Sequence, residues 1–149
     1  MKFLILTATL LLSSYPVIGQ NFNPKLDHLT ILVEDLEVSA DFYKNILQLE
    51  EIETPWGVNP SIRFFSIGGG QQLHVTNVDA DSIKLNKVVH IAFNVEGFDS
   101  YLTFLKEKGI GYSNFAGDSK VPQVRPDGVL QVYFQDPDGY WIEINNAKY

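Results

Sequence analysis

The feature that most constrains this chain is an internal repeat. Shifting the sequence by 62 positions (90 − 28) places residues 28–33, HLTILV, on residues 90–95, HIAFNV. The match continues into segments whose apolar residues recur at the spacing of one helix face, namely Leu36, Ala40 and Tyr43 in the first half and Phe98, Leu102 and Leu105 in the second. A duplicated half identifies positions that are equivalent in space. The repeat therefore predicts two copies of one structural unit.

The second half is longer than the first. The offset grows to 69 (143 − 74), so seven residues (69 − 62) are inserted, and we place them between Asn114 and Asp127. Each half then consists of a strand, a helix and three strands. The predicted elements are strand 27–33, helix 36–47 and strands 50–54, 61–67 and 71–77, then strand 88–95, helix 98–108 and strands 111–115, 129–135 and 139–146. The sequence thus predicts an α+β fold.

The two closing hairpins have recognisable turn chemistry. Residues 136–139 read DPDG, which matches the preferences of a type I turn. The glycines at 68–70 occupy the equivalent place in the first half. A glycine triplet is also found where a phosphate is bound, but phosphate loops open helices and this one opens a strand. We therefore expect a hairpin here.

The first 20 residues have the pattern of an export signal. Lys2 is followed by an apolar run at 3–12, and Pro16 precedes a small-residue cleavage site near Gly19. The run is shorter than the about 20 residues of a membrane span. We expect a secreted or periplasmic protein in which residues 21–149 form one domain with modules 26–79 and 87–147. A retained N-terminal anchor is the alternative.

The composition restricts the partners. The chain has no cysteine, so neither a disulfide nor a lipid-anchored cysteine is available. Removal of the signal with its one charge, Lys2, changes the net charge from -7 to -8 (-7 − 1). Nucleic acids and anionic membrane surfaces require clustered Lys and Arg. The sequence therefore favours a small-molecule substrate over either of these partners.

Four side chains suggest a metal site. Strand side chains alternate between two faces, and all three histidines of the chain lie opposite the apolar face of their strands, at His28, His74 and His90. Glu143 occupies the fourth repeat-equivalent position. Grouped imidazole and carboxylate ligands bind Zn, Ni, Fe or Mn. The sequence predicts one divalent cation here, and the alternative is a polar cup whose histidines are hydrogen-bonded without an ion.

Three segments in order, 27–36, 89–95 and 135–144, resemble the vicinal oxygen chelate superfamily, which comprises glyoxalases, bleomycin-resistance proteins and extradiol dioxygenases. The resemblance implies two tandem βαβββ modules forming a cup-shaped, partly open mixed sheet with the helices outside. It implies one cation held by the first and last strands of each module, hence by His28, His74, His90 and Glu143. A homodimer stays open, because members of this family also build sites across two chains.

The chain departs from the glyoxalase I pattern at His74, where such members usually carry a glutamate that binds metal and moves a proton. If His74 does not bind the cation, His28, His90 and Glu143 make the two-histidine, one-carboxylate set of oxygen-activating Fe(II). The number of ligands therefore matters more than the fold for the reaction.

The leading functional hypothesis is a glyoxalase-like, metal-dependent lyase or isomerase, in which Glu143 and His74 are the candidate catalytic residues. An Fe(II) extradiol-type dioxygenase and a non-catalytic drug-binding protein are the alternatives. The candidate substrate-binding residues are Trp56, Arg125, Tyr133 and Trp141. Export disfavours glutathione as a co-substrate, because glutathione is chiefly cytoplasmic.

Overall fold

The computed structural model describes residues 25–54, 57, 59–77 and 85–148. The predicted signal segment 1–20 and Trp56 lie outside these residues. The elements, in chain order, are β1 (His28–Leu32), α1 (Leu36–Asn45), β2 (Glu50–Ile52), β3 (Ile62–Ser66), β4 (Gln72–Thr76), β5 (His90–Asn94), α2 (Phe98–Glu107), β6 (Gln123–Val124), β7 (Leu130–Gln135) and β8 (Trp141–Asn145). Among the described residues, no helix combines the length and apolarity needed to cross a bilayer.

The strands form two open, four-stranded mixed sheets with the same topology. Their orders are β1-β4-β3-β2 and β5-β8-β7-β6, and the first pair of each sheet is parallel while the others are antiparallel. The register of the parallel pair is the same in both sheets. Thr30 lies opposite His74 in the first sheet, and its equivalent, Ala92, lies opposite Glu143 in the second. The predicted α+β class with tandem βαβββ modules is confirmed.

Each helix covers one face of a sheet with the predicted apolar stripe. The six stripe residues of α1 and α2 are all buried. Asp35 is the N-cap of α1, and its side chain accepts from the backbone N–H groups of Glu37 and Val38. The helix α2 is followed by Gly109 with a φ of 73°, the left-handed conformation that suits glycine after a helix.

The two modules share one core. It includes Leu73 and Val75 of β4 and Ile142 and Ile144 of β8, each almost inaccessible to solvent. Burying an aliphatic side chain of this size contributes about 1.5–3 kcal/mol. Because strand side chains alternate, the face of each sheet that carries the predicted ligands lies on the side away from this core.

The closing hairpin of the second module also binds the first module. The Tyr43 hydroxyl donates to buried Asp136 at 2.7 Å. Asp138 accepts from the backbone N–H of Glu34 at 2.6 Å and from the hydroxyl of Ser39. Burial is the main cause that raises the pKa of Asp136. The DPDG turn therefore anchors the start of α1 to the second sheet.

The predicted strand 111–115 is wrong. Only Ser113 pairs with β7, through an isolated bridge to Tyr133, and the strand beside β7 is β6 at Gln123–Val124. The reason is local, because the Asn114 side chain accepts from the backbone N–H groups of Gly117 and Asp118 and turns the chain away from the sheet. The inserted residues thus supply β6.

Candidate metal centre

The predicted ligands of the second module are in contact with each other. Nε2 of His90 lies 3.2 Å from Oε2 of Glu143. The other ring nitrogen, Nδ1, donates to the backbone carbonyl of Lys87 at 2.9 Å. A hydrogen bond from one ring nitrogen leaves the other with the lone pair that binds a metal. We call His90, Glu143, Tyr133 and Asn145 the second half-site.

Glu143 is held by hydrogen bonds on both of its oxygens. The Tyr133 hydroxyl donates to Oε2 at 2.5 Å, and Nδ2 of Asn145 donates to Oε1 at 2.7 Å. The residue is only 4% exposed. Burial, followed by the bond to Glu143, raises the pKa of Tyr133 above its ordinary value, so the phenol stays protonated and keeps donating. Glu143 is therefore a fixed hydrogen-bond acceptor beside the His90 imidazole.

The predicted ligands of the first module form a ring stack. The His28 and His74 rings lie 4.3 Å apart at 14°, and the Phe64 ring lies 3.7 Å from the other side of His74. Nδ1 of His28 contacts the carboxylate of Asp27 at 2.6 Å, which leaves its Nε2 available to a cation. We call His28, His74 and Phe64 the first half-site.

His74 occupies the middle of this stack. Its Nε2 lies 2.9 Å from Oε1 of Gln72, so the hydrogen-bonded form with a proton on Nε2 keeps the lone pair on Nδ1. Burial lowers the pKa of His74, and the charge of His28 lowers it further, while Asp27 opposes them. The imidazole is therefore neutral near pH 7.

The structure brings the four predicted ligands together as two pairs and does not bring the two pairs together. Within residues 25–54, 57, 59–77 and 85–148, no three His, Asp or Glu side chains are close enough to share a metal ion. Each pair lies on the face of its own sheet, away from the common core. A site that combines both modules stays a prediction.

The predicted substrate-binding residues have specific neighbours. Tyr133 is buried beside His90, and its ring also meets the Phe115 ring edge-on at 5.5 Å. Arg125 pairs with Asp127 at 2.7 Å. The Lys87 ammonium lies over one face of the Trp141 ring, 4.1 Å from the ring centroid.

Sequence reasoning missed Phe64 and Asn145 of the half-sites, and Lys87 beside the second half-site. Asn145 could have been found, because it is two residues after Glu143 and therefore on the same strand face. Phe64 requires the register of β3 against β4, which places it opposite His74. Lys87 gives no sequence signal, since an isolated lysine before a strand is usually a solvated charge.

Comparison with known proteins identifies the family. The profile of the Glyoxalase/Bleomycin resistance protein/Dioxygenase superfamily matches residues 25–144. The chain belongs to this superfamily. The family resemblance inferred from three short segments is thereby confirmed. Members of the superfamily bind small molecules, and divalent metals and dimers are common among them.

The names of individual relatives indicate different activities. The fosfomycin resistance protein FosX of Listeria monocytogenes is 29% identical over 125 residues, covering 80% of this chain and 87% of the relative. A glyoxalase family protein of Bacillus anthracis is 26% identical, covers 87% and 99% of the two chains and has a TM-score of 0.67. The oxidase ChaP-H2 is 25% identical, covers 85% and 96%, and has a TM-score of 0.69. The shared fold therefore does not select a reaction.

Proposed function

We propose that the protein is a glyoxalase-like lyase or isomerase that binds one divalent cation and acts on a small substrate with two chelating oxygens. The observation that carries the proposal is the buried Glu143 carboxylate 3.2 Å from Nε2 of His90, and each of the two groups is oriented by a further hydrogen bond. When bound, such a cation withdraws charge from the two substrate oxygens.

Three side chains fit the cation best. His28 and His90 each engage Nδ1 with an oxygen and leave Nε2 for a metal, and Glu143 supplies the carboxylate. Imidazole nitrogens with an outer hydrogen bond and one carboxylate are a common set for Zn, Ni, Fe and Mn. The same outer bonds are what proteins use to orient ligand rings.

His74 is better suited to move a proton than to bind the cation. Its Nε2 is engaged with Gln72, and its lowered pKa keeps the ring neutral. Nδ1 is then the atom that takes the proton from the substrate carbon and returns it. Glu143 is less suited to this role, because its oxygens already accept from Tyr133 and Asn145.

We propose that two copies of the chain complete each site. β1 and β5 are both edge strands of their sheets, and the segments that lead into them expose Leu26, Val88 and Val89. An exposed edge with apolar flanks is a surface that a second chain can pair with. Pairing β1 of one chain with β5 of its partner joins the first half-site of one to the second half-site of the other.

The substrate is proposed to carry an anionic group. The positive charge of Arg125 lowers the pKa of Tyr133, opposing the larger effect of burial, so the guanidinium lies near the second half-site. It also pairs with Asp127. The fosfomycin resistance relative supports an anionic, oxygen-rich substrate. We further propose that the protein acts outside the cytoplasm, after removal of the segment 1–20.

An Fe(II) dioxygenase is the second candidate. It is favoured by the bond between His74 and Gln72, because a His74 that stays off the cation leaves two histidines and one carboxylate. The oxidase relative is consistent with this chemistry. Turnover of a catechol that requires Fe(II) and oxygen would support this candidate, and turnover of a hemithioacetal without oxygen would support the isomerase.

Metal analysis tests the proposal. Protein purified without a chelating tag is expected to contain about one cation per chain. His90→Ala and Glu143→Gln are expected to lose it, while Thr30→Ala, on the His28 face of β1, is expected to keep it. Wild-type protein that binds no divalent cation would contradict the proposal. A bound cation without turnover of any hemithioacetal, catechol or fosfomycin would favour a binding protein instead.

A further inference from the structure

We infer that Lys87 is a positioning residue that fastens the segment 113–124 to the second half-site. This segment, which overlaps the insertion predicted between Asn114 and Asp127, is called the inserted segment below. The inference rests on the proposed function, since it assigns this segment to the surroundings of the cation. Two parts of the residue act together. The backbone carbonyl accepts from Nδ1 of His90 at 2.9 Å, and the side chain reaches the inserted segment.

The ammonium of Lys87 contacts three residues of the segment and one aromatic ring of the sheet. Nζ donates to the carbonyl oxygens of Phe115 at 3.1 Å and Asn114 at 3.4 Å, and lies 3.5 Å from the Ser113 hydroxyl. The same ammonium lies 4.1 Å from the centroid of Trp141. A cation over an indole ring adds an attraction of its own. All three donor positions of the side chain are thereby used.

The two ends of the segment contact the sheet. Ser113 forms an isolated bridge to Tyr133, and β6 at the other end pairs with β7. Between them, the backbone N–H of Phe115 donates to Gln123 within the segment itself. Most residues between 115 and 124 are exposed. Segments with exposed backbone and few apolar contacts open easily. The ammonium is therefore a further attachment of this segment, at residues 113–115.

The attachment leads back to the ligands. Holding Phe115 keeps its ring against Tyr133, whose hydroxyl donates to Glu143. Lys87 thus contacts His90 directly through its backbone carbonyl. It is linked to Glu143 indirectly, through the rings of Phe115 and Tyr133. Outer groups that orient metal ligands commonly change metal affinity 10- to 100-fold when they are removed, as an order-of-magnitude guide.

The repeat supplies a matched control. The equivalent of Lys87 is Lys25 (87 − 62), which is exposed and precedes a module without the inserted residues. Lys87→Met removes the charge and keeps the length of the side chain, Lys87→Arg keeps the charge, and Lys25→Met makes the same change where there is no segment to hold.

The first measurement is hydrogen exchange of the full-length, metal-free protein. Peptides covering 113–124 are expected to exchange about tenfold faster in Lys87→Met and close to the wild-type rate in Lys25→Met and Lys87→Arg. In a Trp56→Phe background Trp141 is the only tryptophan, and its emission is expected to change in Lys87→Met alone. Unchanged exchange, or equal acceleration in Lys25→Met, would overturn the inference.

The second measurement is the affinity for Zn²⁺. Lys87→Met is expected to bind Zn²⁺ about tenfold more weakly than wild type, with an unchanged melting temperature. Equal affinity in a variant with a loosened segment would overturn the positioning role. Wild-type protein without Zn²⁺ affinity would contradict the proposed function, whereas the exchange measurement, made without metal, would still decide whether Lys87 holds the segment.

Discussion

The two half-sites occupy equivalent strand positions and hold their side chains in different ways. In the second half-site a buried carboxylate accepts from Tyr133 and Asn145, next to His90. In the first, two imidazoles stack on each other and on Phe64, and the His28 side chain is 44% exposed. The two halves thus share the placement of the candidate ligands and differ in the neighbours on adjacent strands.

This difference has a physical consequence. A buried carboxylate that loses a hydrogen-bond donor is left with an unsatisfied oxygen, which is costly. A ring that leaves an aromatic stack loses only packing and a modest ring interaction. The second half-site should therefore be the rigid part of the centre and tolerate changes poorly, whereas the first should tolerate them better.

The largest expected effect separates ligands from neighbours. His90→Ala and His28→Ala are expected to weaken Zn²⁺ binding at least roughly 100-fold, because each removes a ligand, whereas His74→Ala should change it less than about tenfold. Isothermal titration of each variant measures the three affinities. A loss in His74→Ala equal to that in His90→Ala would mean that the two halves contribute ligands equally.

The next effect tests the carboxylate network. Tyr133→Phe removes the hydroxyl that donates to Glu143 and should lower the free energy of unfolding by about 1–3 kcal/mol, together with a 10- to 100-fold weaker affinity for metal, as a rough range. Tyr101→Phe is the control. Its hydroxyl donates to the backbone of Ile46, away from both half-sites, so stability should fall without a change in metal affinity. Equal metal affinities in both variants would contradict the network.

A smaller effect is expected from the ring stack. Phe64→Leu should cost about 0.5–1.5 kcal/mol of ring interaction and should raise the pKa of His74 toward its ordinary value, because burial is the main cause that lowers it. Phe104→Leu makes the same change on α2. Proton NMR titration of the metal-free protein reads the His74 pKa, and a pKa that is the same in both variants would show that Phe64 does not bury the ring.

The smallest effect concerns pH. The pKa of His74 is lower in the folded chain than its ordinary 6.5, so the unfolded chain takes up this proton first as the pH falls. The contribution of His74 to stability is therefore complete above about pH 6.5 and declines below it, until the folded protein also binds the proton. Denaturant unfolding of His74→Asn should depend less on pH in this window than wild type does. Parallel curves would exclude the effect.

Much of the fold could be predicted from the sequence because the signals are local. The apolar stripes of Leu36 and Phe98 and the DPDG turn each depend on residues close in the chain, and the repeat is visible when the chain is compared with itself. All three were confirmed. Strand alternation also put His74 and Glu143 on the faces away from the core. These features follow from periodicity alone.

The remainder depends on contacts between distant residues. The prediction of a strand at 111–115 was wrong because the turn at Asn114 competes with strand pairing, and β6 pairs with β7 instead. The ring stack on His74 depends on how β3 and β4 align, and the ammonium over Trp141 depends on the path of the inserted residues. No short stretch of sequence determines either of these. The grouping of the ligands as two pairs arises from the packing of both sheets on one core.

The most direct test of the central claim, that His28 of one chain and His90 of its partner hold the same cation, is the metal content of a mixed dimer. One chain carries His28→Ala and the other His90→Ala, each with a different non-chelating tag, so that the heterodimer can be isolated. One of its two sites then lacks both histidines and the other has both. One tightly bound cation is expected in this heterodimer and none in either mutant homodimer. A heterodimer without bound cation, from a wild type that binds two, would contradict it.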